Sequence, residues 1–349
     1  MDYFNLTPAS IPLPNSSGSS SSNRQGQGHP GQLSTHPGHV VISLEDGQDS
    51  NAVPIRPPAA PPVSTAVDGP RKISISTAFH PSLSIDGAIP DVVLVSADGV
   101  LFYAHQHRLL AVSTNRMGNL LPPPGAVNTI PPLLTLHAPH SADVVNVILH
   151  TMYGLSCAHY LPTLETVEAA VDSLSLLYGV SVAPLAAQGM PLFQLIYSFA
   201  PFRPLDAYAV AAHHELHDLA VMISSHLLAY NLLQLSDTAA QKMGPIYLKR
   251  LFVLLRSRAA ALRSILLKAP ETHLPVTGCG QDNQQMLVRA WALAVAQIVW
   301  DVLPSVSTSA LQALLEPIGA TITCPLCVAS LQRRVTEVLY QWSAVKRTI

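Results

Sequence analysis

Charge is scarce in this chain. Only 11% of its 349 residues are Asp, Glu, Lys or Arg, against about a quarter in an average soluble domain. Nineteen basic and 21 acidic side chains leave a formal charge of −2, which excludes a globally basic nucleic-acid binder and a polyacidic chain. Long apolar runs are missing as well, although 48% of the residues are hydrophobic. The longest stretch without a charged residue, Ser173 to Phe202, is broken by Gly179, Pro184, Gln188, Gly189, Pro191 and Gln194. Proline and glutamine there would leave polar groups that lipid cannot satisfy, so no membrane-spanning helix is expected. Ala290 to Leu303 is too short and carries Gln297 and Asp301. The start, Met1 to Asn5, lacks a basic region followed by an apolar one, so no secretory signal is expected. With four cysteines there is no disulfide framework. These absences together predict a reduced, intracellular protein, with nothing to choose between cytoplasm and nucleus.

What is abundant is proline, 30 residues of it, much of it in the first 72 positions beside Ser16–Ser22, Gln25–Gly31 and Arg56–Pro62. So few large apolar side chains cannot offset the entropy of ordering, which predicts a disordered tail over 1–72 and a linker over 73–88. His29, His36 and His39 in this tail are too sparse for a metal tract.

Order is expected from Ile89. Asp91–Ser96 and Val100–His105 are β-prone runs joined by Ala97-Asp98-Gly99, a hairpin signal. A helical segment holds Leu109, Leu110 and Val112, a loop opens at Pro122-Pro123-Pro124-Gly125, and Leu133–Leu136 reads as a third strand. From Ser141 onward the apolar spacing is helical: 141–153, Leu164–Tyr178 ended by Gly179, Leu205–Tyr230, Leu248–Leu266, Leu287–Val302 and Leu331–Val345. No fixed repeat period is present, so a solenoid is not expected.

The segment Asp91–His105, with its Asp-Val strand, polar turn and Phe102-Tyr103-Ala104-His105 strand, resembles the opening of a BTB/POZ domain, and Leu109 and Ser113 fall where that pattern has Leu and Ser. The strand Leu133–Leu136, the helix Val144–Tyr153 and the segments Arg203–Ala211 and Leu216–Ala220 extend the resemblance over 89–235, in the manner of fungal members. The resemblance implies a small sheet within a helical shell, used for protein–protein association. It makes Asp91, Phe102, His105, Leu109 and Ser113 structural residues. Two features depart from it: Gln106 stands where some members have a basic residue, and no acid occurs between Asp98 and Asp143. The hydrophobic-x-Glu motif of cullin-3 adaptors is therefore missing, which weakens an adaptor role.

Three segments invite chemistry. His213-His214-Glu215-Leu216-His217 is one residue short of H-E-x-x-H. His213 and His217 would share a helix face, but polar-face histidines are the favoured reading. Cys324-Pro325-Leu326-Cys327 has the spacing of half a zinc site, for which Cys279 and His273 are the spare ligands. With no second C-x-x-C, and no strand before it to suggest a redox motif, buried thiols at a helix start are favoured over a metal. Seven basic residues from Lys242 to Lys268, with no acid between Asp237 and Glu271, make the one concentrated basic surface. Lys249, Arg250, Arg256 and Arg263 would form a face for an anionic partner, although a solvated helix face is the simpler reading. No aromatic interleaving supports single-strand binding, and no P-loop, G-x-G-x-x-G or G-x-S-x-G stands between a strand and a helix.

The expectation is thus an α+β protein with a small BTB/POZ-like sheet and helical cluster over 89–235, followed by an all-α region over 236–349. It would be non-enzymatic and free of cofactor, and would associate with protein partners, itself included. A cullin-3 adaptor and a zinc-stabilised scaffold built on Cys324 and Cys327 are the alternatives. Neither a membrane nor a nucleic acid is an expected partner.

Overall fold

The computed structural model describes residues 39–43, 72–123, 133–301 and 304–349. All of them lie in one compact unit, Pro37–Ile349. The architecture is α+β, a small mixed sheet followed by a long helical succession.

The sheet has five strands in the order β1-β2-β4-β3-β5: β1 (His39–Ser43), β2 (Lys72–Ser76), β3 (Val92–Val95), β4 (Val100–Ala104) and β5 (Leu134–His137). β3 and β4 form the expected hairpin, with Val92 opposite Ala104 and Val95 opposite Leu101. Its turn is closed by Ser96, whose Oγ accepts from the backbone of Val100 at 2.9 Å, and by Gly99 at φ +83°, where a side chain would be strained. Val100, Phe102 and Ala104 are buried and alternate with half-buried Leu101 and Tyr103, the period-two pattern of a sheet with one face on the core. β5 runs parallel to β3, Val92 beside Leu134. A parallel neighbour requires a crossover, and α1 (Gln106–Val112) lies in that connection.

Two strands fall outside the expected ordered region. β2 lies at the edge of the expected linker and pairs parallel with β4, and Phe79 just after it is fully buried. β1 lies within the expected disordered tail and pairs antiparallel with β2, His39 opposite Ser76. Both are short β-branched runs, HVVIS and KISIS, whose strand preference is masked by the Ser/Pro/Gly composition around them. The remaining tail, His29 and His36 included, lies outside the described residues.

The helices follow from caps that the sequence carries. α2 (Ala142–Tyr153) receives its first hydrogen bond from the hairpin turn, the Asp98 carboxylate accepting from the Ala142 N–H at 2.9 Å, and ends on Gly154 in the left-handed conformation. Thr163 caps α3 (Leu164–Asp172), which widens into a π turn over Ser173–Leu177. α4 is the single turn Val182–Leu185, and α5 (Pro191–Ser198) and α6 (Pro204–His213) both begin on proline at the first turn, where its missing N–H costs nothing. The expected single helix over Leu205–Tyr230 is broken: α6 stops at His213, Glu215 takes a φ of +55°, and α7 spans His217–Ser224. At the break His214 turns to the Asp172 carboxylate at 2.8 Å, and Leu216 beyond it is buried.

α8 (Asp237–Leu267) is two helices joined at Gly244, whose φ of +71° and ψ of 166° leave helical space just before Pro245. The change of core also falls in this element. Its first half, through Leu255, packs with the sheet and α2–α7, whereas Leu262 and Leu266 join a second core with α9 (Gln281–Asp301), α10 (Thr308–Leu315) and α11 (Pro325–Ser343). In the second core Trp291 is fully enclosed and its indole N–H donates to the Leu266 carbonyl at 3.0 Å. Two arginines tie its ends. The Arg334 guanidinium, buried, donates to the carbonyls of Ile265 and Lys268, satisfying the open end of α8. Arg258 lies on the Trp342 ring at 4.3 Å and donates to the carbonyls of Pro304, Val345 and Lys346. Among the described residues no helix is long and apolar enough to cross a membrane.

Candidate metal centre

The second core carries the one convergence of soft ligands among the described residues. α8 ends at Leu267 and the chain runs through His273 to a tight reversal in which Val276 and Cys279 exchange backbone hydrogen bonds across Gly278, at φ +87°. That reversal turns Cys279 inward. From the other side, Pro325 starts α11, so that Cys324 occupies the N-cap and Cys327 the first turn, where both thiols point back toward the helix N-terminus. The donor atoms of His273, Cys279, Cys324 and Cys327 all lie within 4.8 Å of one another. His273 Nε2 is 3.3 Å from Cys327 Sγ and 3.5 Å from both Cys279 Sγ and Cys324 Sγ, and the Cys279 and Cys327 sulfurs are 3.7 Å apart.

The ring is oriented by its other nitrogen. His273 Nδ1 is 2.7 Å from the Leu274 carbonyl, which can only accept, so the proton sits on Nδ1 and Nε2 presents its lone pair to the sulfurs. Cys279 and Cys327 are buried, while His273 and Cys324 are half-buried. The thiols are unlike. The backbone N–H of Cys327 is the main influence on Cys324, drawing it down to about 7, as expected at a helix N-terminus. Burial pushes Cys279 up and Cys327 to about 12. The spare ligands named from the sequence are thus the residues that the fold brings to the C-x-x-C pair. Neither element alone could reveal this, because the sequence gap between His273 and Cys327 is 54 residues.

The other candidates stand apart. His213 and His217 do not share a helix face, since the chain breaks between them. Instead His217 Nδ1 faces the Arg250 guanidinium at 3.0 Å and His214 Nε2 meets Asp172 at 2.8 Å. His213, at 4.0 Å from the same carboxylate, completes a group of three with no thiol and an exposed member. Of the basic segment, Lys242 pairs with Glu168, Lys268 with Glu337, and Arg258 is buried, so the cationic face reduces to Lys249, Arg250, Arg256 and Arg263, all exposed. Lys249 and Arg250 edge an apolar groove of about 410 Å³ that Ile246, Val253 and Ile349 also line.

The residues named from the resemblance sit in the first core. Phe102, His105, Leu109 and Ser113 are buried. The Asp91 carboxylate is not a hydrogen-bond partner of the His105 ring; its Oδ1 accepts from the Gln106 N–H at 2.7 Å and so starts α1. Ser113 donates to the Tyr178 carbonyl and accepts from the Met117 N–H, both at 2.7 Å. Of the side chains that organise the two cores, the sequence marked Tyr153 only as the aromatic ending a helix and Arg258 only as one of seven basic residues, and it did not mark Arg334, since a lone Arg in a helical pattern carries no positional signal. Comparison with protein-family models, curated proteins and solved structures finds no match.

Proposed function

We propose that the chain is a non-enzymatic protein-association module of BTB/POZ type. The observation that carries this reading is the order and pairing of elements from Val92 to Tyr153: an antiparallel hairpin, a short helix, a strand returning parallel to the first, and a helix whose last tyrosine closes on the histidine ending the hairpin. The resemblance in sequence runs through the same residues in the same order. Two further facts favour association over catalysis. Asp91, His105 and Ser113 spend their polar atoms on backbone and tyrosine partners, leaving no free nucleophile–base pair among them. Several large apolar side chains within 89–235 stand in water, Phe202 at 84% and Leu233 at 94% exposure among them, in a chain with few charges to keep copies apart. The simplest partner is a second copy. Light scattering on the purified full chain over a concentration series tests this: a dimer is expected, and a monomer at every concentration would overturn the self-association reading.

A further inference from the structure

We propose that His273, Cys279, Cys324 and Cys327 bind one structural Zn²⁺ that clamps the segment after α8 onto the first turn of α11. The inference is independent of the association reading.

Geometry carries it. Zinc held tetrahedrally by thiolates at about 2.3 Å and an imidazole at about 2.05 Å sets its sulfurs about 3.8 Å apart and its nitrogen about 3.6 Å from each sulfur. The protein has 3.7 Å for Cys279–Cys327 and 3.3–3.5 Å from Nε2 to all three sulfurs. Hydrogen bonding does not explain this cluster. Nδ1 holds the proton that Leu274 accepts, and even a protonated Nε2 could direct one N–H at only one sulfur, not three. Packing does not explain it either, because a half-buried imidazole has no reason to aim its lone pair at three thiols.

The donor set selects the ion. Three thiolates and one imidazole are soft ligands that suit zinc and disfavour calcium or magnesium. Four protein ligands fill a tetrahedron and leave no position for water or substrate, which makes the site structural rather than catalytic. On binding, the three thiols release their protons to solvent as three Zn–S bonds form, with no change of oxidation state. The fold gives the ion a task. Between Leu267 and Gln281 the chain makes no helix, and its described polar ties to α11 besides this cluster are few: the Ser330 hydroxyl donating to the Glu271 carbonyl, Arg334 on the end of α8, and the Lys268–Glu337 and Arg333–Glu271 ion pairs. A metal joining positions 54 residues apart constrains the unfolded chain as a cross-link does.

The test uses the full chain purified without chelator. Elemental analysis should find one zinc per chain, and exchange with Co²⁺ should give the intense visible bands of a tetrahedral thiolate site. Chelation should expose three additional reactive thiols and lower the melting temperature, and added Zn²⁺ should restore both. Cys157→Ser, altering the cysteine outside the cluster, should keep the metal; Cys279→Ser should lose most of it. Should Cys279→Ser fail to fold, the wild-type cobalt spectrum and chelator response still decide. Folded protein with substoichiometric zinc that takes up no Co²⁺, an octahedral cobalt spectrum, or a Cys279–Cys327 disulfide in place of free thiols would each overturn the proposal.

Discussion

The Tyr153 hydroxyl closes on His105 twice, accepting its backbone N–H at 2.7 Å and lying 3.1 Å from its Nδ1. The Nε2 of the same ring is 3.2 Å from the Ala88 carbonyl. A carbonyl only accepts, so Nε2 carries the proton and the tyrosine donates to Nδ1. One hydroxyl thereby satisfies the end of β4 and fixes the tautomer of a histidine buried between the hairpin and α2.

Tyr153→Phe should therefore destabilise the fold well beyond the loss of a surface hydroxyl. It leaves a buried N–H and a buried imidazole nitrogen without partners, at a cost of about 1–3 kcal/mol. Guanidinium denaturation of both proteins measures it. A change smaller than about 0.5 kcal/mol would mean that water or a rearranged side chain serves both groups as well.

Arg258→Lys is a stringent test of the second core because it keeps the charge. The guanidinium reaches three carbonyls in two segments while stacked on Trp342. An ammonium is a point donor and cannot reproduce the fork or the stacking. A loss of about 2–4 kcal/mol is expected, with a shift in Trp342 fluorescence. Arg256→Lys, on the exposed face, should change stability by no more than about 0.5 kcal/mol.

The sheet core and most helices were legible in the sequence because each is set by local rules. The Asp-Gly turn gave the β3–β4 hairpin, Ser141 and Gly154 bracket α2, and Pro325 starts α11. What was not legible depends on neighbours distant in sequence. β1 and β2 are strands because they pair with each other and with β4, a preference too weak to read in five residues amid Pro and Ser. The break at Glu215 follows from His214 turning to Asp172 on α3, which no helical wheel contains. For the candidate metal centre, the C-x-x-C and both spare ligands were visible, but their convergence requires the Val276–Cys279 reversal and the placement of α11 on α8.

Gly179 and Gly189 separate two costs of the left-handed backbone. Both have positive φ, +60° and +91°. At Gly179 an added Cβ would lie 2.7 Å from Asn115 Cγ and 2.9 Å from Thr114 Oγ1, two side chains held by bonds to the Leu177 and Gly179 carbonyls, whereas at Gly189 nothing lies within 4 Å. Gly189→Ala should cost about 1 kcal/mol, backbone strain alone. Gly179→Ala should cost roughly 2–4 kcal/mol, because the reversal that seats Ser113 against Tyr178 must also shift. Equal losses in thermal or chemical melts would show that the Asn115 contact yields freely.

Stability should also fall as the solution is made mildly acidic. Burial holds His150 and His214 below the ordinary 6.5; the Asn146 carbonyl partly offsets this at His150, and Asp172 does so at His214. His140 is lowered by burial as well. Unfolded, all three take up protons as pH drops through about 6.5, while the folded protein resists, so the unfolded state binds more protons and gains ground. The stabilisation is complete above that range and is lost as pH falls toward the folded-state values. Glu165 beside Arg203 and Glu337 beside Arg334 are held below the ordinary carboxylate value of 4.5, so their contribution is lost only at lower pH. Denaturant midpoints compared between about pH 7.5 and about pH 5.5 in the presence of chelator, so that proton uptake by metal ligands does not add to the loss, read the histidine window. His150→Gln combined with His214→Gln should flatten the profile there whatever it does to stability at neutral pH. A double variant whose midpoints fall in parallel with the wild type would assign the acid sensitivity to other groups.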